Sequence, residues 1–260
     1  MKKAFFTLLC VVLTAGCEKE ITLDLQDKSG SIVIEGNITD QPGPYYVRIT
    51  KSVAFTESNK YPPVTNAVVT ISDNQGHSEI LTYESDGRYK TSGLVSVPGN
   101  TYTLNVSVDG ENYAAQSTMP DPVTLDGLIQ DSMTMGDKTT YTILPVYTDP
   151  EQLGNRYLFI LSIEYKNNKT VQVLSDNINN GMVNQRSLFP SLDKDDELLP
   201  GNIIHVEMQC IDPDVYTYFS ALVQISNGGV TPADPPSNIS NGALGYFSAH
   251  TVSSKSLVIK

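Results

Sequence analysis

From Thr101 to Val108 the chain reads Thr-Tyr-Thr-Leu-Asn-Val-Ser-Val, polar and apolar in strict alternation. Only an extended strand places every second side chain on one face, so this octet predicts a strand with one buried side. Asp109-Gly110 follows, and Tyr113 to Ser117 resumes the pattern, which predicts a hairpin closed by a tight turn. Upstream, Ala67, Val69 and Ile71 face one way while Val68, Thr70 and Ser72 face the other. Asn74-Gln75-Gly76 ends that strand and returns the chain to His77–Tyr83. Asp86-Gly87 and Pro98-Gly99-Asn100 punctuate the rest. Seven strands are predicted between Ser31 and about Pro120, near 32–38, 45–50, 67–72, 78–83, 88–91, 101–108 and 112–118. Short strands at this spacing predict a β-sandwich over residues 31–120.

Pro120-Asp121-Pro122 marks a boundary, and residues 121–139, with Gly, Met and little periodicity, read as a linker. A second β-rich region is expected over 140–260. It opens with Thr140–Tyr147 and continues through a long apolar run from Arg156 to Tyr165. Asn167 to Pro200 is polar and predicts one short strand and a long loop; Ile203 to Ile211 is strand-like. Asp212-Pro213 is a good helix start, with Asp capping free amides and Pro in the first turn. Val215, Phe219, Leu222 and Val223 share one face at helical spacing, predicting a packed helix over 213–226 that Asn227-Gly228-Gly229 stops. A Pro-rich loop, Thr231 to Asn238, leads to a last strand near Ser253–Ile259. The fold class expected is mainly all-β, with one short helix.

Met1-Lys2-Lys3 and the apolar stretch Ala4–Leu13 form an export signal over residues 1–16, too short to span a bilayer as a mature helix. Leu13-Thr14-Ala15-Gly16-Cys17 resembles a bacterial lipobox, with Thr14 where a Leu is usual, and implies lipidation of Cys17; a plain secretory signal is the alternative. Acyl carbons at about 0.8 kcal/mol per buried CH₂ would then hold the chain on a membrane, with residues 17–30 as a tether. Glu18-Lys19-Glu20 resembles the acidic signal that sends lipoproteins of the Bacteroidota to the cell surface rather than to the periplasmic side. The expected location is the outer membrane, lipid-anchored and surface-exposed.

The chain carries 17 Lys plus Arg against 29 Asp plus Glu, a net charge of −12. Loss of Lys2 and Lys3 with the signal leaves −14. Without a basic run, binding to a phosphate backbone is excluded, so nucleic acid is not a partner. Of three cysteines, Cys10 lies in the signal and Cys17 at its end, so Cys210 has no partner for a disulfide and no Cys-pair metal site exists. His77, His205 and His250 are too scattered for a His-rich metal centre, and no metal or cofactor is expected.

The first region resembles the carboxypeptidase-regulatory-like, transthyretin-related sandwiches, an Ig-like architecture, in Asn66-Ala67-Val68-Val69, Asp86-Gly87-Arg88-Tyr89 and Tyr102-Thr103-Leu104. The C-terminal end carries the fuller likeness. Cys210-Ile211-Asp212 leading into Val215-Tyr216-Thr217-Tyr218-Phe219, the loop Pro235-Pro236-Ser237-Asn238-Ile239, and Gly242-Ala243-Leu244-Gly245-Tyr246-Phe247-Ser248-Ala249 resemble the domain-of-unknown-function 4249 family. That resemblance implies a Bacteroidota lipoprotein that accompanies a TonB-dependent outer-membrane receptor. It supplies no catalytic residues.

Candidate sites follow from side-chain chemistry. Tyr45, Tyr46 and Tyr61 lie on or beside an early strand and the loop Tyr61-Pro62-Pro63. Such aromatics stack on sugars or anchor a protein when exposed, and otherwise fill a core with one wet edge. Gly242 and Gly245 permit tight turns or close backbone packing, and Tyr246 and Phe247 either plug a core there or touch a partner. Asp193, Asp195, Asp196 and Glu197 lack the order of a calcium loop and read as a solvated acidic loop. His205 and Glu207 would share one strand face, an acid–base pair without a visible nucleophile. Cys210 reads as a small buried hydrophobe. Asp131-Ser132-Met133 resembles a short O-glycosylation acceptor. The leading expectation is a non-enzymatic surface lipoprotein that helps a TonB-dependent receptor capture a nutrient, glycan or peptide. An adhesive or envelope-structural module is the alternative, and a surface hydrolase a third.

Overall fold

The computed structural model describes residues 29–54, 57, 60–136, 138–167, 169–178, 180–192, 198–226, 228 and 234–260. The signal at 1–16, Cys17, all but the end of the tether, and the acidic run Asp193, Asp195, Asp196 and Glu197 lie outside these residues.

The alternating segments fold as read. Strands β1 (Ile32–Thr39), β2 (Tyr46–Lys51), β3 (Val68–Asp73), β4 (Ser78–Ile80), β5 (Thr82–Ser85), β6 (Arg88–Lys90), β7 (Thr101–Val108) and β8 (Glu111–Thr118) form the first sandwich. One of its sheets has the order β4-β3-β7-β8, and β1-β2-β6-β5 belongs to the other. The apolar parity of each strand points inward: Ile34 and Ile38, Val47 and Ile49, Val69 and Ile71, Tyr102 and Leu104 are all buried. Each is worth about 1.5–3 kcal/mol of transfer free energy. The segment expected as a single strand over 78–83 is divided at Leu81. There the chain changes sheets, from β4 against β3 to β5 against β6. Leu81 turns into the core, and its amide bonds the Val69 carbonyl at 2.8 Å.

The second sandwich comprises β9 (Gly127–Met135), β10 (Lys138–Thr148), β11 (Arg156–Ile163), β12 (Lys169–Ser175), β13 (Val183–Asn184) and β14 (Ile203–Cys210). Its single described helix, α1 (Pro213–Ser226), matches the expected limits, and Asp212 Oδ1 accepts the Val215 amide at 2.9 Å as its N-cap. The run Arg156–Tyr165 is apolar on both parities because β11 is covered on both faces. Tyr157, Phe159 and Leu161 pack toward the β13-β10-β9 sheet, whereas Leu158 and Ile160 pack under Val215 and Phe219 of α1. Residues 121–139 are not a linker throughout. Residues 127–135 are β9, paired with β10 from Gly127↔Val146 to Met135↔Lys138. The outer half of β9 is exposed on both faces, so no buried side imposes alternation on its sequence. The polar stretch after Asn167 likewise holds two strands, β12 and β13, where one was expected.

The last strand begins earlier than its composition suggested. β15 (Leu244–Val258) has 15 residues, roughly 50 Å at strand rise. Leu244–His250 pair parallel with β1, and Thr251–Val258 pair antiparallel with β14. One strand thus completes both sandwiches and joins them in a single eight-stranded sheet, β12-β11-β14-β15-β1-β2-β6-β5. Because β1 starts beside Leu244, the chain enters at the end of the first sandwich opposite the second.

Candidate functional site

The predicted aromatic residues do not gather on one surface. Tyr45 is buried, its hydroxyl 2.8 Å from both the Gln41 carbonyl and Ser96 Oγ. Tyr46 is half-buried beneath Arg88, whose guanidinium carbon sits 4.1 Å from the ring centroid. Tyr61 is 47% exposed. It lies beside Pro62, which bonds Lys51 at the far end of β2 from Tyr45. Phe247 is fully buried in the first core. Tyr246 is half-buried on the outer sheet face, 5.1 Å from the Tyr218 ring and 4.8 Å from Phe219.

The Gly-rich string is a structural corner. Gly245 has φ of +94°, and a Cβ placed there would stand 2.1 Å from the Ile34 carbonyl oxygen. Only glycine lets β15 approach β1 so closely. Asn238 completes the corner in a way the sequence did not announce. Its side-chain amide donates to the Phe247 carbonyl at 2.8 Å and accepts the Phe247 amide at 3.0 Å, so it stands in for a neighbouring strand. An Asn in a Pro-rich loop carries no sequence signal for that role, because the partner is set by the tertiary fold.

The junction between sandwiches buries several polar residues. Asp212, besides capping α1, accepts a bond from Ser117 Oγ on β8, and Ser117 Oγ accepts the Ala249 amide at 2.8 Å. Burial raises the Asp212 pKa, opposed by its bonds from Ser117 and the Val215 amide. On the other side of β15, Asp40 Oδ1 accepts the Val252 amide at 2.9 Å, and the Asp40 amide bonds the His250 carbonyl at 3.3 Å. His250 is buried with Ser248 Oγ 2.9 Å from its Nδ1, and desolvation lowers its pKa to about 4. Tyr218, half-buried against Tyr246, has its hydroxyl pKa pushed up to about 12 by desolvation first, then by Tyr246 and Glu35. These contacts hold α1, β8 and β15 as one body.

His205 and Glu207 share the outer face of β14, as their spacing requires. His205 Nδ1 lies 2.7 Å from Ser256 Oγ, a hydroxyl on β15 that sequence separation hid. Glu207, however, accepts from Gln209 Nε2 at 2.6 Å and does not orient the imidazole. His205 and Ser256 stand exposed on an open sheet surface. Cys210 is buried and desolvation raises its thiol pKa, which keeps it protonated and inert. Among the described residues no three His, Cys, Asp or Glu side chains gather to hold a metal ion. Ser132 is exposed on the outer part of β9.

A cleft of about 720 Å³ lies between loops 40–45 and 90–96, beside Tyr45. Most of its polar side chains are committed within the protein. Lys90 bonds Glu84 at 3.0 Å, Thr91 Oγ1 accepts the Tyr45 amide at 2.8 Å, and Asp40 holds Val252. Shape and exposed backbone are what such a cleft offers a ligand. A second groove, about 580 Å³, runs along β12 between α1 and Phe189–Ser191.

The chain is similar to a two-domain fibronectin type-III segment from chicken tenascin, at 12% identity over 70% of this chain and 91% of that one. The TM-score is 0.24, and the strand pairing above describes the fold without it. No curated protein matches the sequence significantly. The family model described as "Domain of unknown function (DUF4249)" matches residues 18–256, which span both sandwiches and begin directly after Cys17. The chain belongs to that family.

Proposed function

We propose that this protein is a lipid-anchored lipoprotein of the bacterial outer membrane, held on the cell surface through Cys17. There it serves, without turnover of a substrate, as an accessory of a TonB-dependent receptor that captures a glycan or peptide nutrient. The observation that carries the reading is the placement of the entry point. Gly30, bonded to the Ser52 carbonyl at 2.9 Å, enters the first sandwich at the end away from the second. A chain tethered there presents the second sandwich, with its projecting β9–β10 hairpin and β12 groove, away from the anchor. The match of one family over both sandwiches supports treating them as one functional unit. A welded body with open strand edges suits docking better than chemistry.

The test is a native pull-down of the full chain, tagged after Lys260, from membranes of its own bacterium solubilised in mild detergent. A TonB-dependent receptor recovered in equal amount is the expected result, with Cys17→Ala moving the protein to the soluble fraction. Recovery of the protein alone, or only with copies of itself, overturns the accessory role. Self-association would be the sign of the adhesive or envelope-structural alternative, which the exposed apolar hairpin tip (Met133 and Met135, 66% and 74% exposed) specifically favours.

A further inference from the structure

The eight-stranded sheet ends at β12, and the hydrogen-bond phase of that strand is fixed by its neighbours. The Asp176 amide bonds the Asn155 carbonyl at 3.2 Å, one residue beyond the Arg156↔Ser175 pair. In an antiparallel ladder, bonded pairs alternate with unbonded ones. Residues 170, 172 and 174 therefore bond β11, and the N–H and C=O groups of Lys169, Val171 and Val173 point away from the sheet. The next outward carbonyl, that of Ser175, is already taken by Arg186 Nη2 at 3.0 Å, which confirms the phase. Among the described residues, no hydrogen bond reaches the outward groups of Lys169, Val171 or Val173.

This edge is not a plain flat rim. Leu222, Val223 and Ser226 of α1 stand over it on one side, and Phe189 and Ser191 on the other, enclosing the 580 Å³ groove. The lower wall is fastened to the strand by side chains: Gln172 Nε2 donates to the Phe189 carbonyl at 3.0 Å, and the Ser191 amide donates to Thr170 Oγ1 at 2.6 Å. Phe189 nevertheless leaves most of its ring in solvent. Natural sheets cover, charge or shorten such edges, because open backbone groups template another strand.

We infer that the β12 groove is a docking site for an extended peptide segment of a partner protein, which adds to the sheet as a ninth strand. The outward groups at 169, 171 and 173 span about 13 Å and match the alternate backbone groups of a segment about five residues long. The walls decide against symmetric β12–β12 pairing with a second folded copy, whose own β12 is recessed behind its own helix and loop and cannot come within the ~4.8 Å that pairing needs. A compact small molecule is disfavoured by the lining, where Lys169 is the one charged side chain and the unsatisfied groups are backbone in a line. Apolar side chains of the incoming segment would face Leu222 and Val223, and an acidic residue would suit the Lys169 end. The groove's chemistry does not depend on which receptor the anchor brings near.

The test appends a six-residue strand of alternating Thr and Val to Lys260 through a flexible Gly-Ser linker of about 12 residues, which reaches about 20 Å. Lys260 and Lys169 lie at the same end of the sandwich, three strand spacings apart, or about 14 Å across the sheet. The tether supplies an effective concentration in the millimolar range, so even weak pairing is detected. Amide hydrogen exchange at Val171 and Val173, read by NMR, is expected to slow tenfold or more in the extended protein. Pro at alternate positions of the appended strand should restore the original rates. Val171→Pro removes an outward donor that β11 does not use, and Ser226→Trp fills the groove from an exposed helix position. In either variant the slowing at Val173 should be lost. Unchanged exchange at Val171 and Val173 in the extended protein overturns the inference, as does slowing that survives both variants.

Discussion

In the first sandwich the longer strands bury one face each, and its two sheets close on a single core. The second is three layers deep where α1 lies on the sheet, and β11 is buried on both sides. These different constructions share β15, so neither completes its sheet without the other. The lesson is one of linkage: a change confined to the β1–β15 contact should be felt in the second sandwich as well. Gly245→Ala is the sharpest probe, since it forces a side chain at positive φ against the Ile34 carbonyl. The expected cost exceeds about 4 kcal/mol, because the obstacle is backbone and no rotamer relieves it. Hydrogen exchange at Val106 of β7 and Val206 of β14 should show both sandwiches losing protection together. If only Val106 is affected, the shared strand does not couple them.

The junction gives a second, smaller test of the same coupling. His250 sits where β15 passes from one sandwich to the other, buried and neutral, with a pKa of about 4. An unfolded chain binds a proton at this residue near pH 6.5, whereas the folded chain resists until about pH 4. Stability therefore falls as pH drops through that window, by about 3 kcal/mol at 1.36 kcal/mol per unit, and levels off below it. Asp212, whose pKa burial raises, works in the opposite direction, becoming easier to bury as it is protonated. Comparing the native chain with His250→Gln isolates the histidine: the difference between their denaturation curves should shrink or reverse between pH 6.5 and pH 4. A constant difference would mean that His250 is protonated within the fold and that the junction is wetter than its geometry shows.

Where the sequence is readable follows the same division. β7 alternates because solvent lies on one side of it and core on the other, and that asymmetry is written directly in Thr101–Val108. The helix was legible because Asp212-Pro213 and the spacing of Val215, Phe219 and Leu222 are local signals. β15 was legible only in its second half. Ser248, His250 and Thr251 are buried polar residues whose backbone pairs with β1 and β14, far away in sequence, so the strand reads there as a loop. The site residues fared similarly. Exposure of a tyrosine is set by what covers it, and nothing near Tyr45 or Phe247 states that Gln41, Ser96 and Gly36 will do so. The β12 groove was invisible for the same reason, being defined by a hydrogen-bond phase that emerges only once β11 is placed.

The β9–β10 hairpin sets the comparison at its finest grain, within one element. Its base belongs to the second core through Ile143 and Tyr147, which are fully buried. Beyond Gln130, whose side chain bonds both the amide and the carbonyl of Lys260, the two strands run on past the sandwich with Met133 and Met135 in solvent. Replacing both methionines by serine removes apolar surface that the fold does not bury. The expected change in unfolding free energy is within about 0.5 kcal/mol, against about 3 kcal/mol for Ile143→Ala in the same hairpin. Urea denaturation followed by far-ultraviolet circular dichroism measures both. A loss above about 1 kcal/mol for the methionine pair would mean that the tip folds back onto the sandwich and is part of the core. A null result leaves two exposed methionines with no structural purpose in the isolated chain, where apolar surface at a projecting tip is retained at a cost in solubility and is better explained by contact with another molecule.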